Sequence, residues 1–259
     1  MTQRIAILDF ETTGMSPAHG ARAAEVGIVL IESGRIVDRF QSLMNAGQGM
    51  PAFITQLTGI TSAMLRAAPP ADEVMRDAAR FVGDAPLVAH NASFDSKFWL
   101  DELTRAGHPP ARPMAELFAC TVLLSRRLYP EAPSHSLGRI VRHLQLPPAE
   151  KAHRALADAE MTAHLLLRMQ ADLRTRWHIP DPAHTLLHGL QRTPARHLAR
   201  VLAAESARQT QPDLPQVPAK SAVQWAASAS PAAAAQPADP LTAAAPHLSP
   251  EVRLGDMTT

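Results

Sequence analysis

The sequence predicts an α/β fold, and three features point there. Residues 4–10, 25–32 and 35–44 read as strands in close succession, with Gly34 marking the turn between the second and third. Beyond residue 72, short apolar runs alternate with segments whose apolar residues recur at helical spacing. Apolar residues make up 46% of the 259, ample for the core of one good-sized domain with an appendage, or of two small ones.

Taken in order, the first three strands form an antiparallel meander, and residues 51–57 and 61–66 are short helices. Residues 72–82 carry Val74, Ala78, Phe81 and Val82 at helical spacing, with Gly83 as the stop. Residues 86–90 are a short apolar strand. A helix then starts at Ser93 or Phe94 and runs to Ala106, with Phe94 and Phe98 a turn apart, Trp99 and Leu103 likewise, and Gly107 closing it. Residues 114–128 hold a last strand and a short helix. Leu137, Ile140, Val141 and Leu144 follow an i, i+3, i+4, i+7 pattern, a second amphipathic helix. Residues 155–173 form the longest helix, and 183–189 and 194–209 two more. Arg192, Arg196 and Arg200 lie a turn apart and read as a solvated face. From about Gln209 the composition turns to Pro, Ala, Ser and Gln with few charges and little periodicity, the mark of a disordered tail over 209–259.

Composition narrows the functional classes. With 25 Lys and Arg against 24 Asp and Glu the net charge is +1, so any grip on nucleic acid has to come from local basic patches. The single cysteine, Cys120, excludes an internal disulfide, fits a reducing compartment and sits in an apolar run as a small buried hydrophobe. No secretory signal is visible, and no apolar stretch approaches the roughly 20 residues needed to cross a bilayer. These features predict a soluble cytoplasmic protein with no membrane partner. Seven Phe, three Trp and one Tyr are too few for an aromatic stacking platform, so a shallow cleft for a few nucleotides is expected in its place.

Three acidic stretches carry the chemistry. Asp9-Phe10-Glu11-Thr12-Thr13-Gly14 follows the apolar run 5–8 directly. Alternation along a strand puts Asp9 and Glu11 on one face, and two like charges at the end of a buried strand are costly unless a cation lies between them. A divalent metal site is the simplest account. His90-Asn91-Ala92-Ser93-Phe94-Asp95 spans a strand end and a helix start, where Asn91 or Ser93 caps the helix and Asp95 falls in its first turn. Alone, that aspartate fits the helix macrodipole. Asp158 lines up with Ala155, Thr162, Leu165 and Met169 on a row that is otherwise apolar or small and so faces inward, where a carboxylate needs a partner. His153, five residues earlier, belongs to the loop before that helix.

In this order, the Asp-x-Glu pair, the strand-to-helix Asp and His-x-x-x-x-Asp resemble the three exonuclease motifs of the DEDDh (DnaQ-like) family of 3′–5′ exonucleases. That is the family of the epsilon proofreading subunit of bacterial DNA polymerase III. The resemblance covers roughly residues 4–172 and implies a ribonuclease-H-like mixed five-stranded sheet, order 3-2-1-4-5, flanked by helices. An exonuclease domain would span 1–178, with accessory helices over 179–208. It also implies two Mg²⁺ (or Mn²⁺) held by Asp9, Glu11, Asp95 and Asp158, with Asp9 bridging and His153 as general base. Thr12 falls where the family contacts the terminal nucleotide. Leu57-Thr58-Gly59-Ile60-Thr61 resembles the segment lining the substrate cleft, with Leu57 and Ile60 to stack or wedge against bases; Thr58 stands where epsilon commonly has His. Asn91 completes the expected substrate-contacting set. Glu25, in a Glu-Val-Gly context, is expected to accept a structural hydrogen bond near the site and not to be a fifth ligand. The implied activity is metal-dependent hydrolysis at single-stranded or frayed 3′ ends of DNA, in proofreading or repair, with a DNA polymerase subunit as a partner. An RNA-processing exoribonuclease or oligonucleotidase, and a non-catalytic polymerase-binding adaptor, are the alternatives. The tail would tether the enzyme to a partner.

Overall fold

A computed structural model describes residues 4–110, 113, 118–149 and 153–210. The tail expected from about 209 lies outside the described residues from 211 onward, as do 114–117 of the stretch expected to hold the last strand. The centre is a five-stranded mixed sheet in the order β3-β2-β1-β4-β5. Its strands are β1 (Ile5–Thr12), β2 (Ala23–Glu32), β3 (Arg35–Leu43), β4 (Leu87–Ala89) and β5 (Phe118–Cys120). The first three pair antiparallel, whereas β4 runs parallel to β1 and β5 parallel to β4. Glu32 pairs with Arg35, which leaves Ser33 and Gly34 as a two-residue loop. Both have positive φ, 54° and 77°, the geometry of the tight hairpin turn whose twist matches that of the strands.

Nine helices are described: α1 (Ala52–Thr58), α2 (Ser62–Ala67), α3 (Ala71–Val82), α4 (Ala92–Arg105), α5 (Thr121–Leu128), α6 (Leu137–His143), α7 (Ala155–Arg176), α8 (His184–Leu190) and α9 (Ala195–Thr210). They cover both faces of the sheet, and alternation along β1 shows how. Ala6, Leu8 and Phe10 join one core cluster with Val74, Phe98 and Trp99 of α3 and α4. Ile5 and Ile7 join the other with Leu165, Leu166, Met169 and Leu173 of α7. The next residues on that second face are Asp9 and Glu11, so the strand aims its acidic pair toward α7.

Two features beyond residue 178 bear on what the helices there do. Leu187, Leu190 and Leu202 are fully buried in the α7 cluster, so α8 and α9 pack on the domain. Gln191 lies against the edge strand β5, its Oε1 accepting from the Cys120 N–H at 2.6 Å and its Nε2 donating to the Phe118 carbonyl at 3.1 Å. That amide satisfies backbone groups a sixth strand would otherwise take. Of the arginine row, Arg192 precedes α9, and Arg196 and Arg200 sit a turn apart on it; all three are exposed. Among the described residues no helix is long and apolar enough to cross a membrane.

Candidate active site

The acidic residues meet because the end of β1 and the starts of α4 and α7 come together at one end of the sheet's central strands. Oxygens of Asp9, Glu11 and Asp158 lie within 4.8 Å of one another, all three side chains half-buried. Asp95 reaches the same place from the opposite face. The Ala6 N–H points to the β4 side, toward Pro86, so by alternation the Phe10 N–H does too. But β4 ends at Ala89, and the orphaned Phe10 N–H instead donates to Asp95 Oδ1 at 3.2 Å. The buried aspartate in the first turn of α4 is thereby held against the strand between Asp9 and Glu11.

The electrostatics of the cluster favour positive charge beside it. Burial, then the charges of Asp95, Asp158, Glu11 and Glu25, hold the Asp9 carboxyl well above the ordinary carboxylate range. Burial, with Asp158 and Glu25 nearby, pushes Glu11 up to about 7, while Arg154 pulls it back. Burial pushes Asp95 up to about 8, against the hydrogen bond from Phe10. Asp158 is raised by burial too, opposed by the charge and backbone N–H of His153. Asp158 Oδ1 and Thr162 Oγ1, a turn apart on the inward face of α7, are buried and have no hydrogen-bond partner among the described residues. Clustered hard oxygens, mutual repulsion and an unpaired carboxylate oxygen together fit a divalent cation.

Glu25 explains how α7 is docked, and it accepts hydrogen bonds near the site as expected. It is fully buried and lies opposite Glu11 in the β1–β2 register, an arrangement that would repel if left uncompensated. Arg154 compensates it, with Nε donating to Oε1 and Oε2 at 3.2 and 3.0 Å and Nη2 to Oε1 at 2.5 Å. Gln41 Nε2 donates to Oε1 at 2.7 Å, and the Ala155 N–H to Oε2 at 3.1 Å. Glu25 therefore caps the first turn of α7 from another element. Further along the same register Gly27 lies opposite Asp9, and a Cβ there would lie 2.2 Å from the Leu156 nitrogen and 2.3 Å from the Ala155 carbonyl carbon. Only glycine lets the helix start that close to β2. Arg154, Gln41 and Gly27 were missed by sequence reasoning. Arg154 directly follows His153, but no spacing rule links it to Glu25, 129 positions away.

The other expected site residues are distributed unevenly. His153 is exposed, with positive φ (61°), and precedes α7 in the loop as expected. Thr12 is buried, its hydroxyl donating to the Gly14 carbonyl at 2.7 Å. Leu57 is 55% exposed on α1, and Phe53, a turn earlier, is 70% exposed; Phe53 was not singled out from the sequence. Two placements correct the expectation. Ile60, expected to stack or wedge against bases, is 0% exposed, packed with Ala24, Met50, Ile54 and Leu65. Thr58 is buried too, its hydroxyl donating to the Ile54 carbonyl (3.0 Å) and accepting from the Ile60 N–H (3.1 Å). Both hold the end of α1 together and leave Leu57 and Phe53 as its exposed large apolar residues. Asn91 sits at the start of α4 with φ 68° but makes no cap; its Oδ1 instead accepts from Ser93 Oγ at 3.1 Å.

A mixed sheet in this order, with four carboxylates at the end of its central strand and a histidine in the loop beside them, defines a class: a ribonuclease-H-like, metal-site nuclease fold. Residues 6–166 match the Exonuclease family (RNase_T), and the chain belongs to it, with the DEDDh residue pattern. It is 38% identical over 168 residues to a DNA polymerase III PolC-type of Bacillus cereus, spanning 64% of this chain and 11% of that one. It is 37% identical over 172 residues to the 3′-5′ exonuclease DinG of Bacillus subtilis, 66% of this chain and 18% of that one. The chain thus spans a small fraction of the length of these relatives. Among solved structures, Exonuclease X in complex with 5′ overhanging duplex DNA superposes with a TM-score of 0.55 at 26% identity, over 72% of this chain and 99% of that one.

Proposed function

We propose that this chain removes nucleotides from the 3′ end of DNA by hydrolysing the terminal phosphodiester bond. The observation that carries the reading is the convergence of Asp9, Glu11 and Asp158 oxygens within 4.8 Å, with one Asp158 oxygen buried and unpaired. Asp9, Glu11 and Asp158 would hold one Mg²⁺ or Mn²⁺, and Asp9 with Asp95 a second. Bound divalent cations supply charge neutralisation at phosphorus and make water a stronger nucleophile at neutral pH. His153, exposed in the loop that opens α7, takes the proton from the attacking water as general base. The Arg154–Glu25 pair keeps that loop and Asp158 in place. Leu57 and Phe53, exposed a turn apart on α1, offer an apolar surface for the terminal base. DNA is preferred as substrate because the relatives include DNA polymerase III PolC-type proteins and the similar Exonuclease X is in complex with duplex DNA, and association with a DNA polymerase is the corresponding reading of partnership.

The test is a time course on 5′-labelled single-stranded DNA, a mispaired primer and an RNA of matched sequence, with Mg²⁺ and with EDTA. Stepwise shortening of the DNA from its 3′ end, abolished by EDTA, is expected. His153→Ala should lower turnover by roughly 10²–10⁴ with little change in binding. Preferential RNA trimming would replace the substrate assignment, and wild-type-like hydrolysis by folded His153→Ala would remove the general base.

A further inference from the structure

We infer that a second, cationic cavity beside the carboxylates seats the strand that leads away from the scissile phosphate. The inference rests on the nuclease reading above. The cavity holds about 600 Å³, within the range of sites for nucleotide-sized ligands, and lies where the start of α4, the end of β5, the first turns of α5 and residues 191–192 come together. Its lining combines exposed Lys97, Arg126 and Arg192 with the apolar Phe118, Val122 and Leu123.

Three observations select a nucleic-acid strand as the occupant. The first is charge. The chain as a whole is nearly neutral, yet among the described residues this cavity is lined by three cations and no carboxylate. Other cavities hold fewer cations or mix the signs: Arg22 and Arg105 share theirs with Asp72 and Glu102, Arg154 shares its own with Glu160, and Arg142 is a lone cation in another. Among the described residues neither Lys97 nor Arg126 is in an ion pair. The second is composition. Cations beside Ser93 and Ser96 and an apolar wall suit a phosphodiester with its base better than an inorganic anion. The third is position. Asn91 and Ser93 line the cavity and Asp95 follows in the same first turn. β5 lies two strand spacings from β1, about 10 Å, so one strand can reach from the carboxylates to the cavity within a few nucleotides. The wall is also built and not incidental. Gln191 is tied to both ends of β5, and Arg127 Nε donates to the Thr193 carbonyl at 2.7 Å, which fixes the segment that carries Arg192. One member of the arginine row thus acquires a role beyond solvation.

Binding of 5′-fluorescein thymidine dinucleotide and dodecanucleotide, followed by anisotropy in Ca²⁺ across a salt series, tests the seat with the full chain. In the Lys97→Gln, Arg126→Gln double variant the dodecamer should bind more weakly. The slope of log affinity against log salt should flatten by about 0.7 for each phosphate left without its cation, about 1.4 for the pair. The dinucleotide, too short to reach from the carboxylates, should keep its slope. The charge-keeping Lys97→Arg, Arg126→Lys variant should restore dodecamer binding. An unchanged dodecamer slope would overturn the seat. So would an equal weakening for the dinucleotide, because that is the signature of a general field and not of a local one. Failure of the unaltered chain to bind or trim any oligonucleotide would overturn the nuclease reading as well, whereas a silent double variant of an active chain sinks the seat alone.

Discussion

A carboxylate buried among other carboxylates is a liability unless a cation lies beside it. Asp9 bears that liability, since burial and four acidic neighbours all raise its affinity for a proton. Asp9→Asn should therefore raise the melting temperature in EDTA while abolishing hydrolysis, and Mg²⁺ should stabilise the variant less than the parent; a variant that melts lower than the parent in EDTA would contradict the repulsion. His90 titrates in the opposite sense from the acids. Its Nε2 faces the His135 carbonyl at 3.0 Å and so must be the donor, which leaves Nδ1 to accept from the Thr121 hydroxyl at 2.9 Å. Burial lowers its pKa to about 4. The unfolded chain then takes up a proton near the ordinary value of about 6.5 that the folded chain refuses. This residue's contribution is complete above pH 6.5 and is lost as pH falls toward 4, by up to about 3 kcal/mol. An imidazole titration followed by NMR should show its midpoint near 4, and a midpoint above 6 would disprove the neutral, donor-locked ring.

At the scale of elements, the site depends on how closely α7 lies on β2. Gly27→Ala would force the first turn of α7 off the strand, because the clash is with backbone and not with a side chain that can rotate. A cost of about 1–3 kcal/mol is expected, which for a domain this size lowers the melting temperature by about 2–4 °C per kcal/mol. It should also weaken divalent-cation stabilisation, because Asp158 moves with the helix. Gly138→Ala on α6, where nothing lies within 4 Å of the new Cβ, is the control and should be neutral or mildly stabilising. If both variants melt and bind cation alike, the close approach is not what positions Asp158. This scale also separates what could be read from the sequence from what could not. Strand alternation put Asp9 and Glu11 on one face, and the apolar row on α7 put Asp158 inward, because both patterns are local. The β2–α7 clamp is not local: Glu25, Gly27 and Arg154 become related only when distant segments pack. Ile60 was misread for a related reason, since an apolar residue after a glycine cap says nothing about which side of it the helix will cover.

For the molecule as a whole, the question is where the cooperative unit stops. The motif pattern ends near residue 172, and a boundary at 178 follows from it, with the later helices as accessories. Packing argues for a larger unit. Leu187, Leu190 and Leu202 are buried in the same cluster as Ile5, Ile7 and Leu165, and each such side chain is worth about 1.5–3 kcal/mol of burial at most. Together they approach the whole stability of an ordinary domain, about 5–15 kcal/mol. The cut would also strip Gln191 from β5 and leave the Phe118 carbonyl and Cys120 N–H at an open sheet edge. A chain ending at 178 should therefore lose its cooperative thermal transition or melt far below a chain ending at 210, and bind a hydrophobic dye. Because β5 adjoins β4, and the loop after β4 leads to Asp95, loosening that edge should weaken cation stabilisation even at temperatures where secondary structure persists. Matching melting temperatures and cation responses for the two lengths would show that α8 and α9 are ornaments on a domain that closes without them.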